Sequence, residues 1–312
     1  MELIVKMAFG SHLYGTNTKH SDEDYKGVFM PSMNEVLLGR IPKSHNHSTG
    51  GDNSKNSNED IDTEIYSLHY FIELACKGET VALDMLHAPD NMIIEKTDIW
   101  DYIVKHRDKF YTRNLKAFVG YARKQAAKYG IKGSRLNASK NVLDFLNTID
   151  GSKRLREVWE DLPSGEHIHL LPKNPNGIRE YEVCGRKVQE TTTILYAKSV
   201  IQNFYDHYGA RAEQAAKNQG IDWKAISHAI RAAIQVKEIL TEGKITFPLR
   251  DNEYLKQVKG GKLDYLTEVA PRLESMMDEL ETLSVKSILP EKSDRKYWDN
   301  FIIEVLRNGL FK

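Results

Sequence analysis

Three short segments of this 312-residue chain hold residue types that can do chemistry together. The first is Gly10-Ser11, closing the apolar run Leu3 to Phe9. A strand that ends in Gly-Ser and turns into a short helix presents unpaired backbone N–H groups and a hydroxyl, the donors with which chains hold phosphate oxygens. The second is Asp22-Glu23-Asp24. Carboxylates at i and i+2 on a strand project from one face. With heads ~6 Å apart, an effective dielectric near 20 makes their repulsion roughly 2.5–3 kcal/mol, close to two pKa units. A cation belongs between them. A hard divalent ion such as Mg²⁺, with Mn²⁺ as an alternative, takes carboxylate and phosphate oxygens and keeps several waters, so two strand carboxylates suffice as its protein ligands. The third segment is Asp62-Thr63-Glu64, again with acids at i and i+2. One of these acids would complete a set able to activate an acceptor hydroxyl while a metal-bound triphosphate is attacked in line. Glu64 is preferred and Asp62 stays open; both equally suit the polar side of a half-solvated strand.

These residues need elements to position them. Leu3 to Phe9 reads as a buried strand ending at Gly10-Ser11, and a second strand fits Asp22 to Met30, stopped by Pro31. A third, Ile61 to Tyr66, runs into a helix with Leu68, Phe71, Ile72 and Ala75 on one side and Gly78 as its stop. Between them, residues 40–60 are rich in Ser, Asn, His, Gly and Lys, which cannot build a core; they read as a mobile loop and a candidate lid. From about Ile99 the pattern turns helical. Leu115, Phe118, Val119, Ala122, Ala126 and Tyr129 make one stripe that ends at Gly130. A Gly/Pro-rich interruption at Pro163 to Gly177 and a short β-like run at Tyr181 to Cys184 precede helices near Thr191 to His207 and Asp222 to Thr241. A last stretch, Leu263 to Thr282, is kinked or divided at Pro271. The expectation is an α/β (α+β) catalytic core with a small mixed sheet over residues 1–100, followed by a mainly helical region, 101–312, that closes over substrate.

Charge narrows the partners. With 44 Lys+Arg against 44 Asp+Glu there is no global basic field, so any nucleic-acid surface must be local. Lys116, Arg123, Lys124, Lys128, Lys132 and Arg135 form one such run, either a strip that tracks the phosphates of an RNA acceptor or an ordinary solvated face. Lys224, His228 and Arg231, spaced four and three apart, share one helix face that suits a triphosphate, an RNA backbone or simply water. The pairs His45/His47 and His167/His169 lack further ligands and read as structural or solvent-facing. No apolar run approaches the ~18 residues of a membrane span, and the first residues lack the order of a signal peptide. Two widely separated cysteines, Cys76 and Cys184, suit a reducing compartment, so a cytoplasmic protein with no membrane partner is expected.

Gly10-Ser11, ten intervening residues and then Asp22-Glu23-Asp24 together resemble the signature of the DNA polymerase β-like nucleotidyltransferase superfamily. The wider string Gly10-Ser11-His12-Leu13-Tyr14-Gly15-Thr16 with Ser21 to Val28 is similar to the RNA repair pathway DNA polymerase beta family, departing at His12, where members tend to carry Arg. Glu64 to Leu68, Lys77-Gly78, Ala82 to Pro89, Gly120 to Gln125, Asp222 to Arg231 and Glu242 to Leu249 continue the likeness. The resemblance implies two-metal transfer of a nucleoside monophosphate from a nucleoside triphosphate to an acceptor hydroxyl, with release of pyrophosphate. Asp22, Asp24 and Glu64 would be the catalytic and metal-ligating residues. The nucleotide-binding candidates are Gly10, Ser11, His12, Lys26, Lys224, His228 and Arg231. An RNA end is the acceptor the family suggests; a small-molecule acceptor, modification of a protein side chain, AMPylator-like, and nucleotide or nucleic-acid binding without turnover are the alternatives.

Overall fold

The computed structural model describes residues 2–19, 21–49, 60–113 and 133–310. By their contacts, residues fall into two compact units: Met1–Ala126 with Trp223–Leu263 and Pro271–Lys312, and Ala127–Asp222 with Asp264–Ala270. The division at residue 100 expected from the sequence is therefore not the one the contacts draw. Later parts of the chain return to the N-terminal region: the Leu249 N–H donates to the Tyr14 carbonyl at 3.2 Å, and the Tyr14 and Phe247 rings lie 6.0 Å apart.

The first unit is built on a mixed five-stranded sheet. Its strands are β1 (Glu2–Ala8), β2 (Glu23–Met30), β3 (Ser44–Ser48), β4 (Ile61–Ser67) and β5 (Ile93–Lys96), in spatial order β3-β4-β2-β1-β5. Only β2 and β4 pair in parallel, with Asp24 opposite Asp62 and Lys26 opposite Glu64. Burial along both strands is graded. Val28, Phe29 and Met30 of β2 and Ile65, Tyr66 and Ser67 of β4 are buried, while the acid-bearing beginnings are open. Apolar and polar halves of one strand thus anchor one end in the core and present the carboxylates at the other.

The mobile-loop expectation is corrected at β3, which lies inside residues 40–60 and pairs antiparallel with β4. Four of its five residues are exposed. An edge strand held by main-chain hydrogen bonds needs no apolar side chains, so its Ser/His/Asn composition hid it. Residues 50–59 lie outside the described residues, as does the apolar stripe from Leu115 to Tyr129.

Two short helices follow β1 and β2: α1 (Gly10–Tyr14) and α2 (Met33–Leu37). Helix α3 (Leu68–Lys77) buries Leu68, Phe71, Ile72 and Ala75 and packs on β2 and β4, and α4 (Thr80–Leu86) follows it. Helix α5 (Asp98–Lys105) buries Trp100 and Ile103. In the second unit, α6 (Gly133–Asn147) and α7 (Ile194–Ala216) pack together beside an antiparallel sheet of β6 (Ile168–Leu171), β7 (Glu180–Val183) and β8 (Arg186–Gln189). Val142, Leu146, Trp159, Tyr181, Val188 and Ile201 are among its core residues. Sequence periodicity showed only the middle strand, because four-residue strands are too short to display alternation.

The first unit is completed by α8 (Trp223–Glu242), α9 (Asn252–Lys259), α10 (Ala270–Lys286) and α11 (Arg295–Leu310). Pro271 falls in the first turn of α10, after a π-turn at Tyr265–Val269, where its missing N–H is harmless. Helix α11 buries Trp298 against Phe110 with ring centroids 4.0 Å apart. Among the described residues no helix is long and apolar enough to cross a membrane.

Candidate active site

The turn between β1 and β2 lays Gly10 against the acids. The Phe9 N–H donates to the Asp24 carbonyl at 2.8 Å, and Gly10 follows with φ of 60°. A Cβ on Gly10 would lie 1.8 Å from Asp24 Oδ2, so only glycine lets the backbone run flush against that carboxylate. Gly15 then ends α1 in the left-handed conformation.

One cavity of about 330 Å³ gathers the chemistry. Asp22, Asp24 and Asp62 line it from the sheet side, with Gly10 and Ser11 from α1 and Lys26 from β2. Lys224, Ser227, His228 and Arg231 line it from one face of α8, and Lys259 joins from α9. Asp24 and Asp62 meet because they are register partners on neighbouring parallel strands. Their mutual field is visible in Asp24: burial raises its carboxyl above the ordinary carboxylate range, and Asp22 and then Asp62 push it further, against the pull of Lys26.

The sequence preferred Glu64 as third acid, and the structure gives it a different neighbour from Asp62. Glu64 shares the face of Asp62, but two residue pairs further along the strands it meets Lys26, whose Nζ donates to it at 2.7 Å. Tyr66 Oη donates to the same oxygen at 2.5 Å. Burial works to raise the Glu64 carboxyl, but these two donors outweigh it and hold the group below its ordinary range. Glu64 is absent from the cavity lining, where Asp62 stands. His12 also falls outside the lining, since successive residues on a helix point about 100° apart and Ser11 takes the cavity-facing position. Gly10, Ser11, Lys26, Lys224, His228 and Arg231 all stand in this one lining. Of the basic run from Lys116 to Arg135, only Arg135 lies within the described residues, and it belongs to the second unit.

Ser227 and Lys259 are the additions that the structure makes, and Asp62, left open beside Glu64 by the sequence, is the acid of that pair in the lining. Lys259 closes an eight-residue helix with no motif around it, so no sequence signal marked it. Two buried polar atoms at the cavity, Ser11 Oγ and Arg231 Nε, have no hydrogen-bond partner among the described residues. Buried donors left unpaired are costly, and a phosphate oxygen is the acceptor that suits both. Among the described residues no three His, Cys, Asp or Glu side chains are already gathered at metal-ligating spacing. The donor set is nevertheless all hard oxygen, which fits Mg²⁺ or Mn²⁺ when phosphate oxygens and water complete the shell.

Comparison with known proteins follows this geometry. The family described as RNA repair pathway DNA polymerase beta family matches residues 1–147, a span that holds Gly10, Ser11 and all three aspartates. An uncharacterized 38.9 kDa protein of the nrdC-mobD intergenic region of Enterobacteria phage T4 is 40% identical over 327 aligned positions, covering 98% of this chain and 97% of that protein. The nucleotidyltransferase-like protein from Exiguobacterium sibiricum 255-15 aligns over 98% of this chain and 74% of its own, with 8% identity and a TM-score of 0.26, a likeness too slight to support any conclusion. The motif, the sheet that carries it and the family match agree, and the chain belongs to the RNA repair pathway DNA polymerase beta family.

Proposed function

We propose that this protein transfers a nucleoside monophosphate from a nucleoside triphosphate to a hydroxyl at an RNA end. The observation that carries the reading is the cavity in which Asp22, Asp24 and Asp62 face Ser11, Lys224, His228, Arg231 and Lys259. Carboxylates on one wall and cations on the other suit a polyanion bound together with a divalent cation. Ser11 Oγ, the Gly10 backbone and Arg231 hold phosphate oxygens, while Lys224 and Lys259 neutralise the rest of the chain of phosphates and His228 offers it a ring nitrogen. Asp22, Asp24 and Asp62 would hold Mg²⁺ or Mn²⁺, which when bound lowers the charge on the phosphates and the pKa of the attacking hydroxyl. The acceptor oxygen bonds to the α-phosphorus, its proton passes to a carboxylate of this set, and the bond to pyrophosphate breaks. The family's description supports the RNA acceptor. Both cysteines are free, in keeping with the reducing, cytoplasmic setting that forms part of the proposal.

Triphosphate labelled at the α-phosphate, incubated with Mg²⁺ and RNA or protein pools, tests the reading. Label in RNA is expected. Label in protein alone would replace RNA by a side-chain acceptor, and binding without transfer would leave a sensor in place of an enzyme. Unimpaired transfer by the Asp22→Asn, Asp24→Asn double variant would remove the site assignment.

A further inference from the structure

Behind the cavity lies a buried polar cluster that the proposed reaction leaves unused. Asp84, on α4, is 0% exposed. Its Oδ2 accepts a hydrogen bond from Tyr14 Oη at 2.8 Å, and its Oδ1 accepts one from Gln235 Nε2 at 2.7 Å. Tyr14 is the last residue of α1, three positions after Ser11. Gln235 lies four residues after Arg231 on α8, so both share one helix face. A single carboxylate therefore ties together α1 and α8, the two elements that bring Ser11 and Arg231 to the cavity.

Arg231 completes the cluster. Its guanidinium carbon sits 3.9 Å from the centre of the Tyr14 ring, a cation–π contact, while its Nε is buried without a partner among the described residues. The Tyr14 ring is thus held at its hydroxyl by Asp84, flanked by Phe9 at 5.9 Å and Phe247 at 6.0 Å, and covered by the guanidinium. Burial pushes the Asp84 carboxyl up to about 7, and the Arg231 charge is the first influence that draws it back. An apolar residue of the same size would fill this position at less expense in desolvation, so stability alone does not explain a carboxylate here.

We propose that Asp84 is a positioning residue for phosphate binding: by fixing Tyr14 and Gln235 it sets the platform from which Arg231 is presented to the phosphates. The inference rests on the triphosphate reading of the cavity, and it gives Asp84 a role without contact with the ligand.

The test is a double-mutant cycle in the full chain, with inorganic tripolyphosphate and Mg²⁺ as the probe. Asp84→Asn keeps the volume and removes the charge; it is expected to weaken binding about tenfold, the order of a lost charge-assisted hydrogen bond. Arg231→Gln should weaken binding at least as much, and the double variant should match Arg231→Gln to within about twofold, because Asp84 acts only through Arg231. Losses that simply multiply would overturn the proposal, since a general structural defect would add to the loss of Arg231. Tyr14→Phe, which removes only the hydroxyl, runs the same cycle where Asp84→Asn does not fold. A second readout separates this inference from the functional one: the Arg231 Nε–H resonance of the unliganded protein should move in Asp84→Asn or Tyr14→Phe. An unmoved resonance overturns the positioning role whatever the protein binds. A moved resonance in a protein that binds no tripolyphosphate supports the positioning of Arg231 and refutes the triphosphate reading.

Discussion

Replacing Gly10 by alanine perturbs two things that the structure allows to be separated. The residue has φ of 60°, where an L side chain costs about 1–2 kcal/mol. Its new Cβ would also stand 1.8 Å from Asp24 Oδ2 and 2.7 Å from Asp24 Cγ. The carboxylate would have to retreat by roughly 1.5–2 Å to reach an ordinary separation. Such overpacking costs about 1–3 kcal/mol, so the whole change is expected to destabilise by about 2–5 kcal/mol. Urea unfolding measures that sum. The functional effect should be larger than the stability effect suggests, because displacement of a positioned group by about 1 Å is worth on the order of a hundredfold in rate. In an Asp24→Ala background the two closest clashing atoms are gone and only Cβ, at 2.9 Å, remains, so Gly10→Ala should cost the conformational part and a small residue of the clash. A coupling of about 1–3 kcal/mol between the two positions is therefore expected. Strict additivity would refute the reasoning that Gly10 is glycine because of Asp24.

Further expectations follow from the same geometry. Asp62→Asn should reduce transfer by at least about a hundredfold, whereas Glu64→Gln, which keeps a hydrogen-bonding group beside Lys26, should stay within about tenfold; the reverse ranking in a transfer assay would restore Glu64 as the third acid. The raised Asp24 carboxyl binds its proton more tightly folded than unfolded, so its ionisation lowers stability as pH rises from the ordinary carboxylate range through the raised value. Asp24→Asn without metal should accordingly be more stable than the unaltered protein at pH 7, and the gap should close toward pH 4 in matched thermal melts. Trp298→Ala, at a fully buried residue far beyond the family-matched span, should cost about 3–5 kcal/mol in denaturant unfolding if α11 belongs to the core of the first unit.

The parts of the molecule that were legible beforehand are those governed by local pattern. The apolar run Leu3 to Phe9, the stop at Gly78 and the stripe of α3 followed from periodicity and capping, and the spacing from Gly10-Ser11 to Asp22 and Asp24 marked the chemistry. The choice between Asp62 and Glu64 was not legible. Residues at i and i+2 share a face, and what separates them is the cross-strand register that sets Asp62 beside Asp24 and Glu64 beside Lys26. Lys224, His228 and Arg231 had the right spacing for one face, but the sequence could not say whether that face met water or the cavity. Lys259 and Asp84 were invisible for the same reason: they reach their places by tertiary packing, across long stretches of chain. The polar strand β3 and the four-residue strands of the second unit escaped notice because main-chain pairing leaves little trace in side-chain pattern.

The central claim is that three aspartates and the Ser11–Arg231 end of one cavity receive a metal-bound triphosphate. A crystal structure of the protein with a non-hydrolysable nucleoside triphosphate and Mn²⁺, the metal located by its anomalous signal, tests it directly. The account predicts manganese ligated by Asp22, Asp24 and Asp62, with phosphate oxygens on Ser11 Oγ and Arg231. Manganese on Glu64, or a triphosphate bound away from this cavity, would contradict it.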